Sequence, residues 1–343
     1  NPIDDKQLLE KYRSIPVGMT TLVKTALEDF DLTPREKMRS SNMFALGLVY
    51  WLYERKLEPT INFLNTKFKK KPIIAESNIK ALKAGFYYGE TIEVIKTSYR
   101  VKKAKFNKGV YRNIMGNHAL SLGLVAASQK SNLELFFGGY PITPASDILK
   151  YLANYKNFGI KTFQAEDEIS AMTSILGSAF TGNLAVTASS GPGIALKGEA
   201  IGLAVITELP LIIINIQRGG PSTGLPTKTE QSDLFQAMYG RNGECPCVVI
   251  AASSPSDCFE TAFEAARIAI EHMMPVMLLS DGYIANGSEP WRIPNVNKLP
   301  EIKNNLVKSE DKEGFMPYKR DEKTLARPWA IPGKEGFEHR IGG

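Results

Sequence analysis

Residues 211–231 read Leu211-Ile-Ile-Ile-Asn-Ile-Gln217, followed by Arg218-Gly-Gly-Pro-Ser-Thr-Gly-Leu-Pro-Thr-Lys-Thr-Glu-Gln231. A nearly continuous apolar run is typical of a strand that is buried on both faces of a parallel sheet. An arginine then opens a loop that is rich in glycine, proline and hydroxyl groups. Open α/β sheets bind ligands in such loops, at the carboxyl ends of their strands. The segment therefore predicts both a fold class and the place of a site.

Two other apolar runs end in loops of the same kind. Residues 133–137 lead into Gly138-Gly-Tyr-Pro-Ile-Thr-Pro-Ala-Ser146, and residues 183–188 lead into Ser189-Ser-Gly-Pro-Gly193. From 114 to 285, short β-rich runs alternate with helical windows. We predict strands at 133–138, 160–164, 183–188, 211–217, 247–252 and 275–280, and helices at 117–129, 146–155, 167–181, 194–207, 232–239 and 255–272. This alternation indicates an α/β fold with a doubly wound parallel sheet.

The chain before this region has a different, helix-rich pattern. Thr33-Pro-Arg-Glu36 has the residues of a capping box with proline at the first helical position, and apolar residues then recur at helical spacing to Tyr53. Two more helices are predicted at 57–68 and 75–88. We therefore predict a smaller domain over 1–105, an α/β domain over 106–290 and a proline-interrupted connector over 291–343.

Composition excludes several classes of function. Of 343 residues, 43% are apolar and 23% charged, as in ordinary globular proteins. No apolar run reaches the roughly 18–20 residues of a membrane span, no secretory signal is visible, and no nucleic-acid motif accompanies the net charge of +6. We therefore expect a cytoplasmic protein that binds neither membrane nor nucleic acid.

Metal binding by this chain is not expected, because the cysteines are too few for a four-thiolate site and the histidines stand apart from other ligand-type residues. These residues are Cys245, Cys247, Cys258, His118, His272 and His339.

Glu168 is a candidate for chemistry among three consecutive acids. Carboxylates in a first helical turn are explained simply by the helix dipole. Glu168, however, shares a helical face with Met172, Ile175, Leu176 and Ala179, and this pattern points it toward the core. A buried carboxylate needs a partner or a raised pKa.

Thr143 and Arg218 each have a structural and a functional explanation. Thr143 has the features of an N-cap with Pro144 at the first helical position, and its hydroxyl is equally suited to a ligand. Arg218 either pairs with Glu230 or Asp233, or binds an anion. Spacing alone leaves both pairs of alternatives open.

Four motifs, in this order, together resemble the alpha subunit of 2-oxoacid:ferredoxin oxidoreductases. They are Tyr140-Pro-Ile-Thr-Pro-Ala-Ser146, Ala165-Glu-Asp-Glu-Ile169, Ala188-Ser-Ser-Gly-Pro-Gly193 and Arg218 to Gln231. The likeness is strongest to the 2-oxoglutarate type, in which a gamma domain is fused in front. It implies that 1–105 are the C-terminal part of that gamma domain and that 106–290 form the pyrimidine-binding domain for thiamine diphosphate.

The resemblance also implies roles for individual residues. Glu168 stands where the family's glutamate hydrogen-bonds N1′ of the cofactor's aminopyrimidine and shares a proton with it. A guanidinium together with a hydroxyl suits the carboxylate of a 2-oxoacid. The implied substrate-binding residues are Thr143, Arg218 and Thr227, and the implied cofactor-binding residues are Tyr140, Pro141, Ile142 and Glu168.

The implied activity is oxidative decarboxylation of 2-oxoglutarate to its acyl-coenzyme A ester, with electrons passed to ferredoxin. Pyruvate, a branched-chain 2-oxoacid and a non-catalytic assembly or ligand-binding module are the alternatives. The family's Gly-Asp-Gly motif is absent, so Mg²⁺ and the iron–sulfur cluster are expected in a beta subunit that this chain needs for activity, as a heterodimer. His118 stands where many relatives carry glutamate or glutamine. The chain begins without methionine, and this start suggests a piece of a longer protein.

Overall fold

A computed structural model describes residues 4–92 and 97–341. The chain forms two compact units, Asn1–Asn107 and Lys108–Gly343. In the first unit the helices are α1 (Lys6–Lys11), α2 (Met19–Ala26), α3 (Pro34–Met38), α4 (Ser41–Leu52), α5 (Glu58–Lys67) and α6 (Pro72–Thr91). In the second unit the elements are β1 (Tyr111–Met115), α7 (Gly116–Ser131), β2 (Leu135–Gly139), α8 (Ser146–Ala153), β3 (Lys161–Gln164), α9 (Glu168–Phe180), β4 (Leu184–Ser189), α10 (Gly191–Leu196), α11 (Gly198–Ile206), β5 (Leu211–Gln217), α12 (Leu234–Tyr239), β6 (Val248–Ala251), α13 (Asp257–His272), β7 (Pro275–Asp281), α14 (Gly282–Asn286) and β8 (Ser288–Arg292). Single 3-10 turns lie at Lys156–Phe158, Val296–Lys298 and Ser309–Lys312.

The first unit is built around the crossing of α4 and α6. A Cβ on Gly47 would overlap the carbonyl oxygen of Leu82, and a Cβ on Gly85 would overlap that of Phe44, so only glycine permits this close approach. The predicted capping box is present at Thr33. The helix that it opens ends at Met38, and a turn separates it from α4, although apolar residues recur at helical spacing up to Tyr53.

Six strands of the second unit form a parallel sheet in the order β3-β2-β4-β5-β7-β6. Each corresponds to one of the six predicted strands, and the prediction of an α/β fold with a parallel sheet is confirmed. The chain leaves β2 for β3 on one side and then returns past β2 to β4. The sheet therefore reverses its direction of growth between β2 and β4.

The central strand β5 is buried on both faces. Ile212, Ile214 and Ile216 pack into one hydrophobic core, with α7, α8 and α13. Leu211 and Ile213 pack into the other, with α9, α10 and α11. The two-residue period of the strand thus divides one apolar run between two cores.

A second, two-stranded antiparallel sheet joins β1 to β8, and the sequence did not predict it. β1 buries only Ile114, and β8 contains Pro290, which pairs opposite Asn113. Strands that contain proline and mostly polar residues lack the alternating apolar pattern by which strands are predicted. The chain after β8 packs against the second unit, where Trp329 is fully buried in the larger core.

Candidate active site

The reversal of the sheet between β2 and β4 creates a crevice at its carboxyl edge. The loop after β2 leads into α8, whose Ile148 joins the first core, whereas the loop after β4 leads into α10, whose Ile194 joins the second. Adjacent connections that depart to opposite faces leave a gap between them, and open α/β sheets bind ligands there. Two of the three loops singled out in the sequence border this point, and the third follows β5, the next strand along.

The loop after β2 is held by side chains from two other elements. The Thr143–Pro144 peptide bond is cis. Arg218 Nη1 donates to the carbonyl oxygen of Thr143 (2.6 Å), and Asn117 Nδ2 donates to that of Pro144 (2.9 Å). Helix α8 begins at Ser146, with Ala145 as its N-cap. The capping alternative for Thr143 is therefore excluded, because the N-cap position is two residues further along the chain. The Thr143 side chain is exposed.

Arg218 ties this loop to the loop that follows β5. Its guanidinium is buried, with the residue 7% exposed, and Nη2 donates to the carbonyl oxygen of Thr223 (2.7 Å). Its Nε has no partner within the described structure. Carbonyl oxygens satisfy hydrogen bonds but do not neutralise the charge, so the positive charge remains available to an anion.

The alternative that Arg218 serves an internal ion pair is not what the structure shows. No salt bridge among residues 4–92 and 97–341 joins it to Glu230 or Asp233. Glu230 accepts from the backbone N–H of Gly220 (2.8 Å), and Asp233 accepts from Asn215 Nδ2 (3.0 Å). Both carboxylates are used to shape the loop, not to neutralise the arginine.

The loop after β5 folds back on itself. The N–H of Gly219 donates to the carbonyl of Lys228 (2.8 Å), and the N–H of Leu225 donates to that of Gly219 (2.8 Å). Gly224 has a φ of +56°, and a Cβ there would overlap the carbonyl oxygen of Gly219, so this turn requires glycine. Thr227 is exposed on this loop.

Glu168 begins helix α9. The N-cap is Asp167, whose Oδ1 accepts from the N–H of Ser170 (2.6 Å). Residues on the predicted inward face of the helix, including Met172 and Ile175, are buried, but Glu168 itself is only half-buried. No hydrogen bond is made by its carboxylate oxygens within the described structure. The side chain therefore stands at the edge of the core with its acid group uncommitted.

The loop after β4 passes very close to Glu168. A Cβ on Gly193 would overlap the hydroxyl of Ser189 and lie 2.8 Å from Cγ of Glu168. Only glycine allows the start of α10 to approach the glutamate stem and the end of β4 together. The sequence identified this turn but not its contact with Glu168.

Lys197 is a residue of this site that the sequence analysis missed. It lies between α10 and α11 and is 1% exposed, and its Nζ donates to the main-chain carbonyl of Glu168 (2.6 Å). Burial lowers the pKa of Lys197 to about 8, while the carboxylates of Glu168 and Asp167 act in the opposite direction. A lysine in an apolar helical window gives no signal that separates it from a surface residue.

Buried polar atoms without partners gather at the same edge of the sheet. Within the described residues they include the hydroxyls of Ser189 and Ser190, Oδ1 of Asn215 and Nε of Arg218. Such atoms are rare in folded proteins and indicate a missing partner. They provide hydrogen-bonding groups at the edge of the sheet where Glu168 also stands, which suits a polar heteroaromatic ring such as the aminopyrimidine of thiamine diphosphate.

The residues expected at the cofactor ring follow β2 directly. Tyr140 and Pro141 are exposed, and Ile142 is half-buried, with its carbonyl accepting from the N–H of Ala145 (2.8 Å). They stand in the loop that Arg218 and Asn117 hold. Their contact with a cofactor stays a prediction.

His118, in the first turn of α7, has a structural environment. Its ring stacks on Tyr151 at 4.4 Å, with an angle of 6° between the ring planes. Nε2 shares a hydrogen bond with the hydroxyl of Tyr155 (2.8 Å). Burial lowers the pKa of His118, as does the nearby Arg112.

The described residues contain neither a metal-binding cluster nor a membrane-spanning helix. No group of three or more histidine, cysteine or acidic side chains is arranged to hold a metal ion. None of the helices has both the length and the apolar character needed to cross a bilayer.

Comparison with known proteins bears directly on this crevice. Residues 129–343 match the family described as pyruvate flavodoxin/ferredoxin oxidoreductase, thiamine diphosphate-binding. The chain belongs to this family. The resemblance inferred from the four motifs is therefore confirmed.

Named relatives specify the likeness further. The chain is 57% identical over 343 residues to the 2-oxoglutarate oxidoreductase subunit KorA of Mycobacterium tuberculosis, covering 100% of this chain and 52% of that protein. It is 29% identical over 330 residues to the alpha subunit of 2-oxoacid:ferredoxin oxidoreductase 1 of Aeropyrum pernix, covering 93% and 50%. The chain thus spans about half the length of these curated relatives.

A solved structure shares the fold of most of the chain. It is the 2-oxoglutarate:ferredoxin oxidoreductase of Magnetococcus marinus with 2-oxoglutarate, coenzyme A and succinyl-CoA bound. The TM-score is 0.78 at 32% sequence identity, over 95% of this chain and 54% of that one.

Proposed function

We propose that this chain is part of the alpha subunit of a thiamine diphosphate-dependent 2-oxoglutarate:ferredoxin oxidoreductase. The observation that carries the proposal is the buried, un-neutralised guanidinium of Arg218, which joins the Thr143 loop to the loop after β5 at the edge of the sheet where Glu168 also stands. Family membership and 57% identity to a KorA subunit support the choice of cofactor and substrate.

Arg218 and Thr143 are assigned to the carboxylate of the 2-oxoacid. A guanidinium pre-set by two carbonyl acceptors loses little freedom when it binds an anion, and its planar fork matches a carboxylate. The exposed hydroxyls of Thr143 and Thr227 offer further donors on the two loops that it connects. These three residues orient the substrate and do not themselves transfer protons.

Glu168 is assigned to hold a proton at N1′ of the cofactor's aminopyrimidine. The carboxylate oxygens of Glu168 accept no hydrogen bond within the described structure, so they are free to share a proton with a weak nitrogen base. Tyr140, Pro141 and Ile142 would contact the ring from the opposite loop. When bound, thiamine diphosphate supplies the carbon nucleophile that attacks the 2-oxo group.

The remaining parts of the reaction are assigned to a partner. We propose that a beta subunit supplies the diphosphate and Mg²⁺ contacts and the iron–sulfur cluster, that ferredoxin accepts the electrons, and that coenzyme A accepts the acyl group. The Magnetococcus protein is a ferredoxin oxidoreductase whose structure has coenzyme A bound, which supports these partners for this chain. Three free cysteines, in the part of the chain that the structure describes, suit the reducing cytosol.

The test is dye reduction by the full-length chain co-expressed with its beta subunit. Coenzyme A-dependent rates with 2-oxoglutarate, pyruvate and 2-oxoisovalerate are compared. Glu168→Gln should assemble normally and lose activity by at least about 100-fold, since it cannot exchange a proton. Glu166→Gln, at an exposed neighbouring acid, is the matched control.

Normal turnover by Glu168→Gln would refute the assignment of the glutamate. A well-formed complex that carries thiamine diphosphate but is inactive on all three substrates would favour the non-catalytic module. Preference for pyruvate or 2-oxoisovalerate would keep the chemistry and change the substrate.

A further inference from the structure

Lys197 has an environment that the proposed roles do not explain. Among the residues that the structure describes, it is the only lysine with a fully buried side chain. Burial of an ammonium group is costly unless the group is paired and hydrogen-bonded. Within the described residues, its hydrogen-bond acceptor is the main-chain carbonyl of Glu168, the residue assigned to proton sharing.

Among the described residues, the charged groups that face Lys197 lie on one element. They are the carboxylates of Glu168 and Asp167, at the start of α9. Helix α10 contains no charged residue, and Glu199, in the first turn of α11, is exposed. Asp167 is already occupied as the N-cap of α9. Glu168 is therefore the uncommitted carboxylate opposite this buried cation.

The stability of the fold does not explain why a buried lysine occupies position 197. A cation beside the N-terminus of α9 is on the unfavourable side of the helix dipole. Apolar replacements of buried charges are often neutral or stabilising. Side chains that lower the stability of a fold are typical of active sites, where stability is traded for activity.

We propose that Lys197 is a positioning residue for Glu168: it fixes the first turn of α9 through the carbonyl of residue 168 and favours the ionised form of the Glu168 carboxylate. This inference rests on the proposed function, in which Glu168 shares a proton with N1′. A neighbouring cation stabilises a carboxylate in its charged form. The shared proton then resides on N1′ and not on Glu168.

The proton position is measured directly with ¹⁵N-labelled thiamine diphosphate in the complex with the beta subunit. Solid-state NMR reports whether N1′ is protonated. Lys197→Met keeps the apolar stem and removes the charge, and it should move the N1′ signal toward the unprotonated position. Lys197→Arg keeps the charge and should restore the wild-type signal.

Kinetics and pH provide a second readout. A proton that is not held at N1′ no longer contributes general acid–base catalysis, so Lys197→Met should lower kcat at least about tenfold with little change in the KM for the 2-oxoacid. Because burial lowers the pKa of Lys197 to about 8, the cation is present below that pH and is lost above it. The wild-type N1′ signal should therefore change near pH 8, and that of Lys197→Arg only at higher pH.

The controls separate the possible failures. Lys150→Met makes the same change at an exposed lysine of α8 and should behave as wild type. Lys197→Met should melt at the wild-type temperature or above it. A lower melting temperature with an unchanged N1′ signal and kcat would show a purely structural lysine and overturn the inference. Failure of the wild-type complex to bind thiamine diphosphate would instead overturn the proposed function, and this inference with it.

Discussion

Gly193→Ala tests whether the turn after β4 sets the position of Glu168. The added methyl group would overlap Oγ of Ser189 and lie 2.8 Å from Cγ of Glu168. Ser189 is fully buried at the end of β4. The half-buried Glu168 side chain is free to move, so we expect the strain to be relieved by displacing the carboxylate.

Gly193→Ala should affect both the stability of the fold and the rate of catalysis, and the two losses differ in size. Overpacking costs about 1–3 kcal/mol, and replacing glycine within a helix returns about 0.5–1 kcal/mol. The net loss of up to about 2.5 kcal/mol should lower the melting temperature of a domain this size by less than about 10 °C. A misplacement of about 1 Å in a reacting group costs roughly 100-fold in rate. Catalysis should therefore suffer more than folding.

The assay combines thermal unfolding of the complex with its thiamine diphosphate affinity and kcat for 2-oxoglutarate. Gly177→Ala is the matched control, because it adds the same methyl group within α9 where no atom lies within 4 Å. The control should be stabilised by about 0.5–1 kcal/mol and keep full activity. If Gly193→Ala retained wild-type affinity and kcat, the close contact with Glu168 would have no functional meaning.

Three further predictions concern the other buried groups. Arg218→Lys keeps the charge but cannot reach both loop carbonyls, so steady-state kinetics should show the KM for the 2-oxoacid raised about 10- to 100-fold; an unchanged KM contradicts its substrate role. Arg327→Met removes a buried cation that lies 3.4 Å from Glu208 and donates to the carbonyl oxygen of Thr207 (2.9 Å). Because Arg320 still pairs with Glu208, the loss in thermal unfolding should be about 1–3 kcal/mol, mainly from the unsatisfied carbonyl, whereas no loss would mean that Arg327 is dispensable. Burial raises the pKa of Cys247 to about 11 and that of Cys258 to about 12, so both remain protonated thiols at pH 8 and should resist iodoacetamide until the protein unfolds; mass spectrometry that finds native labelling at Cys258 would refute this.

The sheet was predictable because its signal is local. Each strand is a short apolar run, and β5 has enough consecutive isoleucines to fill two cores at once. The loops that follow β2, β4 and β5 were also predictable, because they are rich in glycine and proline. Element order and the carboxyl edge then follow from general rules of parallel sheets.

The contacts that organise the site are not local, and this is why the sequence did not reveal them. Lys197 meets Glu168 across 29 residues, Asn117 meets Pro144 across 27, and Arg218 meets Thr143 across 75. Each contact joins a side chain to a main-chain carbonyl, which carries no residue-type signal. The capping alternative for Thr143 is excluded by the point at which the helix starts: the spacing suggested a start at Pro144, whereas α8 begins at Ser146 with Ala145 as its N-cap.

The non-catalytic alternative meets a physical objection at the carboxyl edge of the sheet. Arg218 is buried there without a carboxylate partner among the described residues, and Lys197 is buried against a main-chain carbonyl. The hydroxyls of Ser189 and Ser190 are also buried without partners. Each of these groups lowers the stability of the unliganded fold, and a scaffold that only packs has no use for any of them. A bound anionic cofactor and a 2-oxoacid would supply the missing partners, so the arrangement favours a binding and proton-transfer site.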